Sequence, residues 1–593
     1  MQDRPITVAH VTHEAIDQLG GIGTVLEGLI TSPVYQRAVD RSILIGPLHD
    51  WSPSGDALAR LGPHGTRVRY SGPDGLDPEG LGAVLRPIEL AFNTPMVLGV
   101  REYVNHLQGG TRGEAEVLLI DITATDKRRL QEFKHLLFTR FGLECHRYEN
   151  DWGFEEYCRL ALPAWHALMA LIPPNRFPAV LISHEFMGMC TALHAAADPH
   201  RRLRTVFHAH ECSTARAIVE SHPGHDTAFY PAMRRAMKRG LHVQGVFGDQ
   251  SNNPRHALIS RAHRLDATLA VGDETANEMR FLSPEMQRAN VRVCYNGVPS
   301  APIDDAAQRD SRRRVDEWAE RALGFRPDYL LTHVTRPVIS KGLWRDLAVC
   351  ANMERALRDE GKRALYLLLT CGARPRSLED VRSMRERYGW PDDHHEGYPD
   401  VTGPETEPWR MIQVYNNPGR IGSGAVHAVL VNQFGFSPET LGDDAPEGLS
   451  TTDLRRAADV EFGMSVYEPF GIAQLEPLHA GAICVPSSVC GCTGFALRGL
   501  AEMGIEQSAY APMLVGDYTT LDHASHETMS QAERDAHELE VSRDIATSLL
   551  QRLPRSAKER AALREQGGAL AARMGWDRVC EEMFLPALRE ILR

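Results

Sequence analysis

The chain has 593 residues, a formal net charge of -13 and 24% charged residues, which gives length for two large domains and an ordinary globular composition. A negative sum of that size argues against nonspecific nucleic-acid binding as the main role, while leaving room for a local basic pocket that holds phosphate. Eleven cysteines are scattered without C-x2-C pairs at zinc spacing, and Cys490 and Cys492 stand only two apart, so neither a disulfide nor a zinc framework is indicated. The N-terminus MQDRPITVAHVTHE has no basic leader ahead of an apolar core. No apolar run approaches the roughly 20 residues that span a bilayer. The expectation is a cytoplasmic protein with reduced thiols, with no membrane and no nucleic-acid partner.

Residues 5–11 (PITVAHV) form a β-branched run suited to a buried parallel strand. Gly20, Gly21 and Gly23 then make a turn that opens onto an apolar helix through Val25, Leu26, Leu29 and Ile30. Glycines let backbone approach a phosphate closely, and a helix start presents unpaired N–H groups; the same turn also serves plain helix packing. From residue 52 to about 115 the chain is turn-rich, and EVLLIDI returns as a strand. RRLQEFKHLLFTRFGLE and FEEYCRLALPAWHALMALI have helical apolar spacing. PAVLISHEFMGMCTALHAA predicts a strand, a polar His184-Glu185 pair at its end, and a helix. LRTVFHAHECSTARAIV repeats the arrangement, with His208 and His210 at the carboxyl end of a strand and Arg216 on the helix that follows. In open α/β sheets, ligands bind at the carboxyl ends of strands. His210 reads either as a strand cap or as a ligand contact. His208 and His210 raise metal ligation, but the sequence offers no clear third ligand, so no metal is expected. The basic MRRAMKRG at 233–240 reads as a solvated helix face, with an anionic effector contact as the minor alternative. RLDATLAVGDETANEM gives another strand and helix, and VRVCYNGV a short strand running to Asn296 and Gly297. A charge-dense connection with a helix in it follows, which puts the domain boundary near 299.

The second half restarts the rhythm. YLLTHV is a strand, Arg336 and Lys341 lie in the loop after it, and a helix begins near Gly342. An Arg fork and a Lys point charge before a helix start can clamp a diphosphate, although basic surface pairs are common. ALYLLLTCG is a buried strand. Residues 376–425, polar and rich in Pro and Gly, read as an insertion with limited structure of its own. HAVLVNQFGF and DLRRAADVEFGMSV complete the sheet, the last strand running to Val466. The stretch that follows, VYEPFGIAQLEPLHAGAICVP, pairs Glu468 with Glu476 in an E-x7-E pattern. Pro469 and Gly471 turn the chain, and Ile472 to Ala480 has helical apolar spacing. Eight helical residues advance about 12 Å, so the two acids can touch opposite ends of one elongated ligand such as a sugar nucleotide; taken alone they read as solvated charges. Residues 515–560 are acidic and helical, and the chain closes on an amphipathic helix, MGWDRVCEEMFLPALREILR.

Read together, HEAIDQLGGIGTV, SHEFMGM, TVFHAHECSTARAI, RPVISKG, the E-x7-E segment and the final WDRV helix resemble the retaining GT-B glycosyltransferases of the glycogen and starch synthase type. The resemblance implies two Rossmann-like α/β domains, residues 1–298 on the acceptor side and 299–572 on the donor side, facing across a cleft, with a helix at 573–593 crossing back to the first. It implies an enzyme that moves glucose from UDP-glucose or ADP-glucose to the non-reducing end of an α-glucan such as glycogen, with retention and without a cofactor or metal. Arg336 and Lys341 would hold the donor diphosphate, Glu468 would lie against the donor sugar, and Glu476 would bind the ribose hydroxyls. Gly20, Gly21, Gly23, Gly471 and Arg216 would complete the donor site. His210 would sit beside the sugar as it gains positive character, and His184, Glu185 and Asn296 would line the cleft from the acceptor side.

One position departs from that pattern. Two residues before the paired glycines the family carries Lys, and here the residue is Gln18. The RxxxxK spacing also sits closer to the bacterial synthases than to the eukaryotic ones. Another donor, a small acceptor such as a sugar phosphate, a cell-surface glycan acceptor, and a non-catalytic glucan- or nucleotide-binding role all stay open, as does a homo-oligomer.

Overall fold

The computed structural model describes residues 5–16, 20–48, 56–62, 65–372, 374–417, 424–521 and 528–593, so Gln18 lies outside the described residues. The chain divides into two units. The first comprises residues 1–217, 233–297 and 576–593, and the second comprises 218–232 and 298–575.

The first unit is built on nine strands: β1 (Ile6–Val11), β2 (Val39–Pro47), β3 (Gly65–Ser71), β4 (Met96–Asn105), β5 (Thr111–Ile120), β6 (Ala179–His184), β7 (Leu203–Ala209), β8 (Ala267–Ala270) and β9 (Val291–Val293). Their order is β3-β4-β5-β2-β1-β6-β7-β8-β9. β1 and β6 are buried at every position, as expected of largely aliphatic parallel strands covered on both faces. The turn-rich stretch from residue 52 holds more order than its composition suggests. β3 and β4 pair antiparallel there, and β4 pairs antiparallel with β5. Half-exposed β3 lacks the apolar run that marks an internal strand. Strand order reverses between β1 and β6, which opens a crevice at their carboxyl ends.

The last helix packs in this unit through Trp576. A Cβ on Gly28 would come within 2.1 Å of its indole, and one on Gly297 within 2.5 Å. The two glycines are therefore required by side-chain volume. Gly28→Ala is expected to cost about 1–3 kcal/mol from overpacking, read as a lower melting temperature, whereas Gly21→Ala, with nothing within 4 Å of its Cβ, should melt much closer to the parent. Equal melting of the two variants would contradict the packing account.

The second unit carries β10 (Tyr329–Val334), β11 (Ala364–Leu369), β12 (Val426–Val431), β13 (Val460–Gly463) and β14 (Ile483–Pro486), all parallel, in the order β12-β11-β10-β13-β14. Alternate residues of β11 feed two cores. Ala364, Tyr366 and Leu368 pack with helices Leu343–Asp359 and Gln531–Arg552; Leu365, Leu367 and Leu369 pack with helices Asp305–Leu323 and Leu378–Tyr388. Here the order reverses between β10 and β13.

The described residues of the 376–425 segment, 376–417 and 424–425, depart from their sequence reading. They form helices Leu378–Tyr388 and Thr406–Asn416 around a buried polar hub. The Arg376 guanidinium donates to Glu405 Oε1 at 2.8 Å and to the Asn432 carbonyl at 2.7 Å, and Trp390 donates to Asn432 Oδ1 at 2.9 Å. A segment held by charge pairing and backbone carbonyls does not announce itself through hydrophobic periodicity. The E-x7-E segment also differs in detail: β13 ends at Gly463, and the helical stretch is one α-turn, Ile472–Leu475, followed by a 3-10 turn, Glu476–Ala480.

Candidate active site

In the first unit, β1, β6 and β7 bring four histidines to one face at the strand ends. His184 and His208 are register partners on neighbouring parallel strands. His10 lies opposite Ile182, two residues before His184, and His210 follows His208 by two, just past the end of β7. The side-chain period of two puts all of them on the same side. His10 Nδ1 lies 2.9 Å from His184 Nε2, and His184 Nδ1 lies 2.8 Å from His210 Nε2. The rings of His208 and His210 have centroids 4.2 Å apart. The sequence finds no third ring beside His208 and His210; the fold supplies His184.

Burial lowers the pKa of every one of these imidazoles, to about 3 for His10 and about 4 for His208, and well below the usual value for His184 and His210, where neighbouring rings add to the effect. The site therefore presents neutral rings, suited to hydrogen bonding with hydroxyls. It also makes stability depend on pH. Unfolded histidines take up protons below about pH 6.5, while the folded rings of His10 and His208 refuse them until far lower pH. Their stabilising contribution is complete above that value and is lost as pH falls toward the folded pKa. At pH 5 each is expected to have cost about 2 kcal/mol. Melting temperature should drop between pH 7 and pH 5, ahead of ordinary carboxylate titration, and the drop should be smaller in His208→Phe. A flat profile, or an unchanged slope in the variant, would count against it.

Glu185 follows β6 in a left-handed conformation, φ +55°, which a non-glycine residue adopts only when its surroundings hold it there. Its Oε1 accepts the Glu211 N–H at 2.6 Å, and its buried Oε2 has no hydrogen-bond partner. Burial, with Glu211 close by, pushes its pKa well above the carboxylate range, which leaves an acid able to donate. Arg216 Nη1 pairs with Glu211 Oε2 at 2.8 Å. Asn296 is buried, and its Oδ1 also lacks a hydrogen-bond partner.

The glycine turn is arranged differently from a free phosphate cradle. Gly20 precedes the helix Gly21–Ile30, and the Glu14 carboxylate accepts the Gly23 N–H at 2.7 Å. A Cβ on Gly20 would stand 2.8 Å from Glu14 Oε1. A buried carboxylate thus takes one of the donors at the helix start that an anion would otherwise use. Glu14 is not evident as a site residue in the sequence. Its one signal is its place between β1 and the glycines.

In the second unit the loops after β10 and β13, at the point of strand-order reversal, bring Lys341 and Glu468 together in an ion pair. Gln474 Nε2 stands 3.4 Å from the same Glu468 oxygen. Gly342 (φ +62°) and Gly471 (φ +87°) both need left-handed backbone, and a Cβ at Gly342 would meet the Met464 carbonyl at 2.6 Å. Arg336 is exposed and makes no ion pair with the described residues. Glu476 is held by buried Arg455, its Oε2 3.1 Å from Nε, and the same guanidinium donates to Glu461 Oε2 at 2.8 Å. Arg455, from a helix preceding β13, gives no sign of this in the sequence. Chemically the two strand-end groups differ. The first unit offers neutral rings and a protonated acid, and the second offers cations paired with carboxylates.

Among the described residues no helix is long and apolar enough to cross a membrane, and the eleven cysteines are free thiols, all but Cys371 buried.

No family model and no curated relative matches this sequence. Solved structures do match it over essentially their whole length. The catalytic domain of starch synthase IV from Arabidopsis thaliana, bound to ADP and acarbose, is 14% identical with a TM-score of 0.53, covering 100% of both chains. The UDP-forming α,α-trehalose-phosphate synthase of Burkholderia vietnamiensis is 14% identical with a TM-score of 0.50, covering 99% of each chain. Its counterpart from Burkholderia xenovorans, in complex with glucose-6-phosphate, is 13% identical with a TM-score of 0.51, covering 98% of this chain and 100% of its own. At that identity the likeness carries the architecture alone, and the chain has the GT-B fold, two Rossmann-like units with a C-terminal helical element.

Proposed function

We propose that the chain is a retaining hexosyltransferase that takes glucose from a nucleoside diphosphate glucose and delivers it to a small sugar acceptor, a sugar phosphate in the first instance. The observation that carries this is the Lys341–Glu468 pair at the strand-order reversal of the second unit, with exposed Arg336 on the same loop as Lys341. Departure of a diphosphate builds negative charge, which fixed cations stabilise without reorganising. Lys341 has three donors and one acceptor in Glu468, so it can take a phosphate oxygen while its carboxylate partner orients it. Gly471 lets Glu468 lie close to the donor sugar, and Glu476, steadied by Arg455, binds the ribose hydroxyls. Within the first unit, His210, His184, Glu185, Arg216 and Asn296 are the groups suited to a sugar acceptor, and Gly20, Gly21 and Gly23 are those suited to a phosphate. The C1–O bond to the diphosphate breaks and the acceptor oxygen bonds C1 on the same face, its proton passing to the departing phosphate.

The small acceptor is supported by the structural likeness to UDP-forming trehalose-phosphate synthases, one of them holding glucose-6-phosphate. The likeness to a starch synthase holding ADP and acarbose favours the second reading, an α-glucan acceptor. Labelled UDP-glucose and ADP-glucose, each incubated with glucose-6-phosphate, with glycogen, and with no acceptor, separate the two. Nucleoside diphosphate release that depends on the sugar phosphate is the expected result. Release that depends on glycogen selects the glucan, and no release in any combination removes the enzymatic reading.

A further inference from the structure

The histidine cluster of the first unit holds more than a hydroxyl-binding surface needs. His184, His208 and His210 each place one ring nitrogen within 4.8 Å of the other two. His208 is 2% exposed, yet neither of its ring nitrogens has a hydrogen-bond partner. Burying a polar group without a partner costs about 1–3 kcal/mol, so a ring left in that state is waiting for a ligand.

The surroundings of His184 point to the kind of ligand. Its Nε2 faces His10 Nδ1 at 2.9 Å, His10 Nε2 faces the Tyr35 hydroxyl at 3.3 Å, and that hydroxyl lies 2.8 Å from Ser42 Oγ. A consistent proton order runs outward along this buried row. His184 Nε2–H donates to His10, His10 Nε2–H donates to Tyr35, and Tyr35 donates to Ser42. That order leaves His184 Nδ1 bare and aimed at His210 Nε2, 2.8 Å away. A histidine whose far nitrogen is tied back to a buried acceptor is the arrangement that orients an imidazole toward a metal.

We propose that His184, His208 and His210 form a binding site for a divalent transition-metal ion of the zinc type, with His10, Tyr35 and Ser42 as the row that orients His184. Three imidazoles suit zinc, copper, nickel or cobalt, and among the described residues no carboxylate joins the group to favour magnesium or calcium. Bonds of about 2.0–2.1 Å at tetrahedral angles place ligand nitrogens about 3.3 Å apart, so the rings need only small rotations, His210 away from His184 and His208 inward. The proton between His184 and His210 moves to His210 Nδ1 as the ion takes its place, so all three rings stay neutral. The fourth position is left for water or a substrate oxygen. The site shares His184 and His210 with the transfer reaction proposed above, so an ion and a sugar compete for the same rings; the titration below reads the ion with no assay of transfer, so the two readings fail separately.

The test uses untagged full-length protein, stripped with chelator and titrated with Co2+. One ion per chain is expected, with the visible absorption of a low-symmetry imidazole site, bleached by one equivalent of Zn2+, and with a higher melting temperature in the loaded protein. His208→Phe should abolish the coloured site, and His10→Phe should weaken it roughly 10–100-fold. If His208→Phe does not fold, His210→Gln, at the rim of the cluster, serves in its place. Absence of the band in the parent protein, or its survival at equal affinity in the ligand variants, overturns the assignment.

Discussion

Lys341→Ala is expected to lower turnover roughly 10²–10³-fold, the loss typical when one fixed donor to a developing anion is removed. The fold should survive, because the conformation of this loop is set by Gly342 against the Met464 carbonyl and not by the lysine side chain. Glu468 would keep Gln474 as a neighbour, which limits the cost of leaving this largely buried carboxylate without its cation. The effect belongs on kcat if the lysine acts mainly as charge develops on the leaving diphosphate, and on KM if it only holds the ground state. Lys341→Arg preserves the charge on a different geometry and should recover part of the loss. Full activity of the alanine variant in the assay that first detects transfer would remove the donor-clamp assignment and with it the proposed mechanism.

Arg345→Ala should be the most damaging single change to stability. The residue is 0% exposed and meets four other parts of the second unit. Its Nη2 lies 2.7 Å from Asp226 Oδ1 and 2.6 Å from Glu538 Oε1, Nη1 reaches the Met464 carbonyl at 3.1 Å, and the guanidinium lies 3.8 Å from the centre of the Tyr518 ring. Burial alone works against the charge, but Asp226 and Glu538 together outweigh it and raise the pKa. Truncation leaves buried Asp226 without its cation and Glu538 with Arg534 at 3.8 Å, a loss of about 3–5 kcal/mol for a broken buried pair, against a total of about 5–15 kcal/mol for a domain. Chemical denaturation should show the midpoint falling steeply or the protein arriving insoluble. Adding Asp226→Asn to the variant should recover part of the loss, since one orphaned charge is then removed. A midpoint within experimental error of the parent would show that the triad contributes little.

The sequence showed the strands through their burial. β11 is an unbroken apolar run, and β1, β6 and β10 are mostly aliphatic runs with one or two polar residues, because both of their faces are covered, and such runs survive without any knowledge of neighbours. It did not reveal β3, which is half-exposed at the sheet edge, or the helices Leu378–Tyr388 and Thr406–Asn416, which surround Arg376, Glu405 and the carbonyls they meet. The candidate residues His184, Glu185, His210, Lys341 and Glu468 were legible because polar side chains at the ends of buried strands have few other reasons to be there. Their partners were not. His10 meets His184 across 174 positions of sequence, and no local pattern encodes that distance. Glu14 and Arg455 were hidden for the same reason, since each takes its meaning from a group that only tertiary structure brings near.

The polypeptide passes from one unit to the other four times, after residues 217, 232, 297 and 575. Cutting the gene at the apparent boundary would therefore not release two autonomous modules. A fragment ending near 298 would lack the indole that fills the space over Gly28 and Gly297, and its complement would lack the carboxylate of Asp226 that neutralises a fully enclosed guanidinium. Each half borrows an essential piece from the other's stretch of chain, so the protein must be synthesised, and must mature, as an indivisible whole.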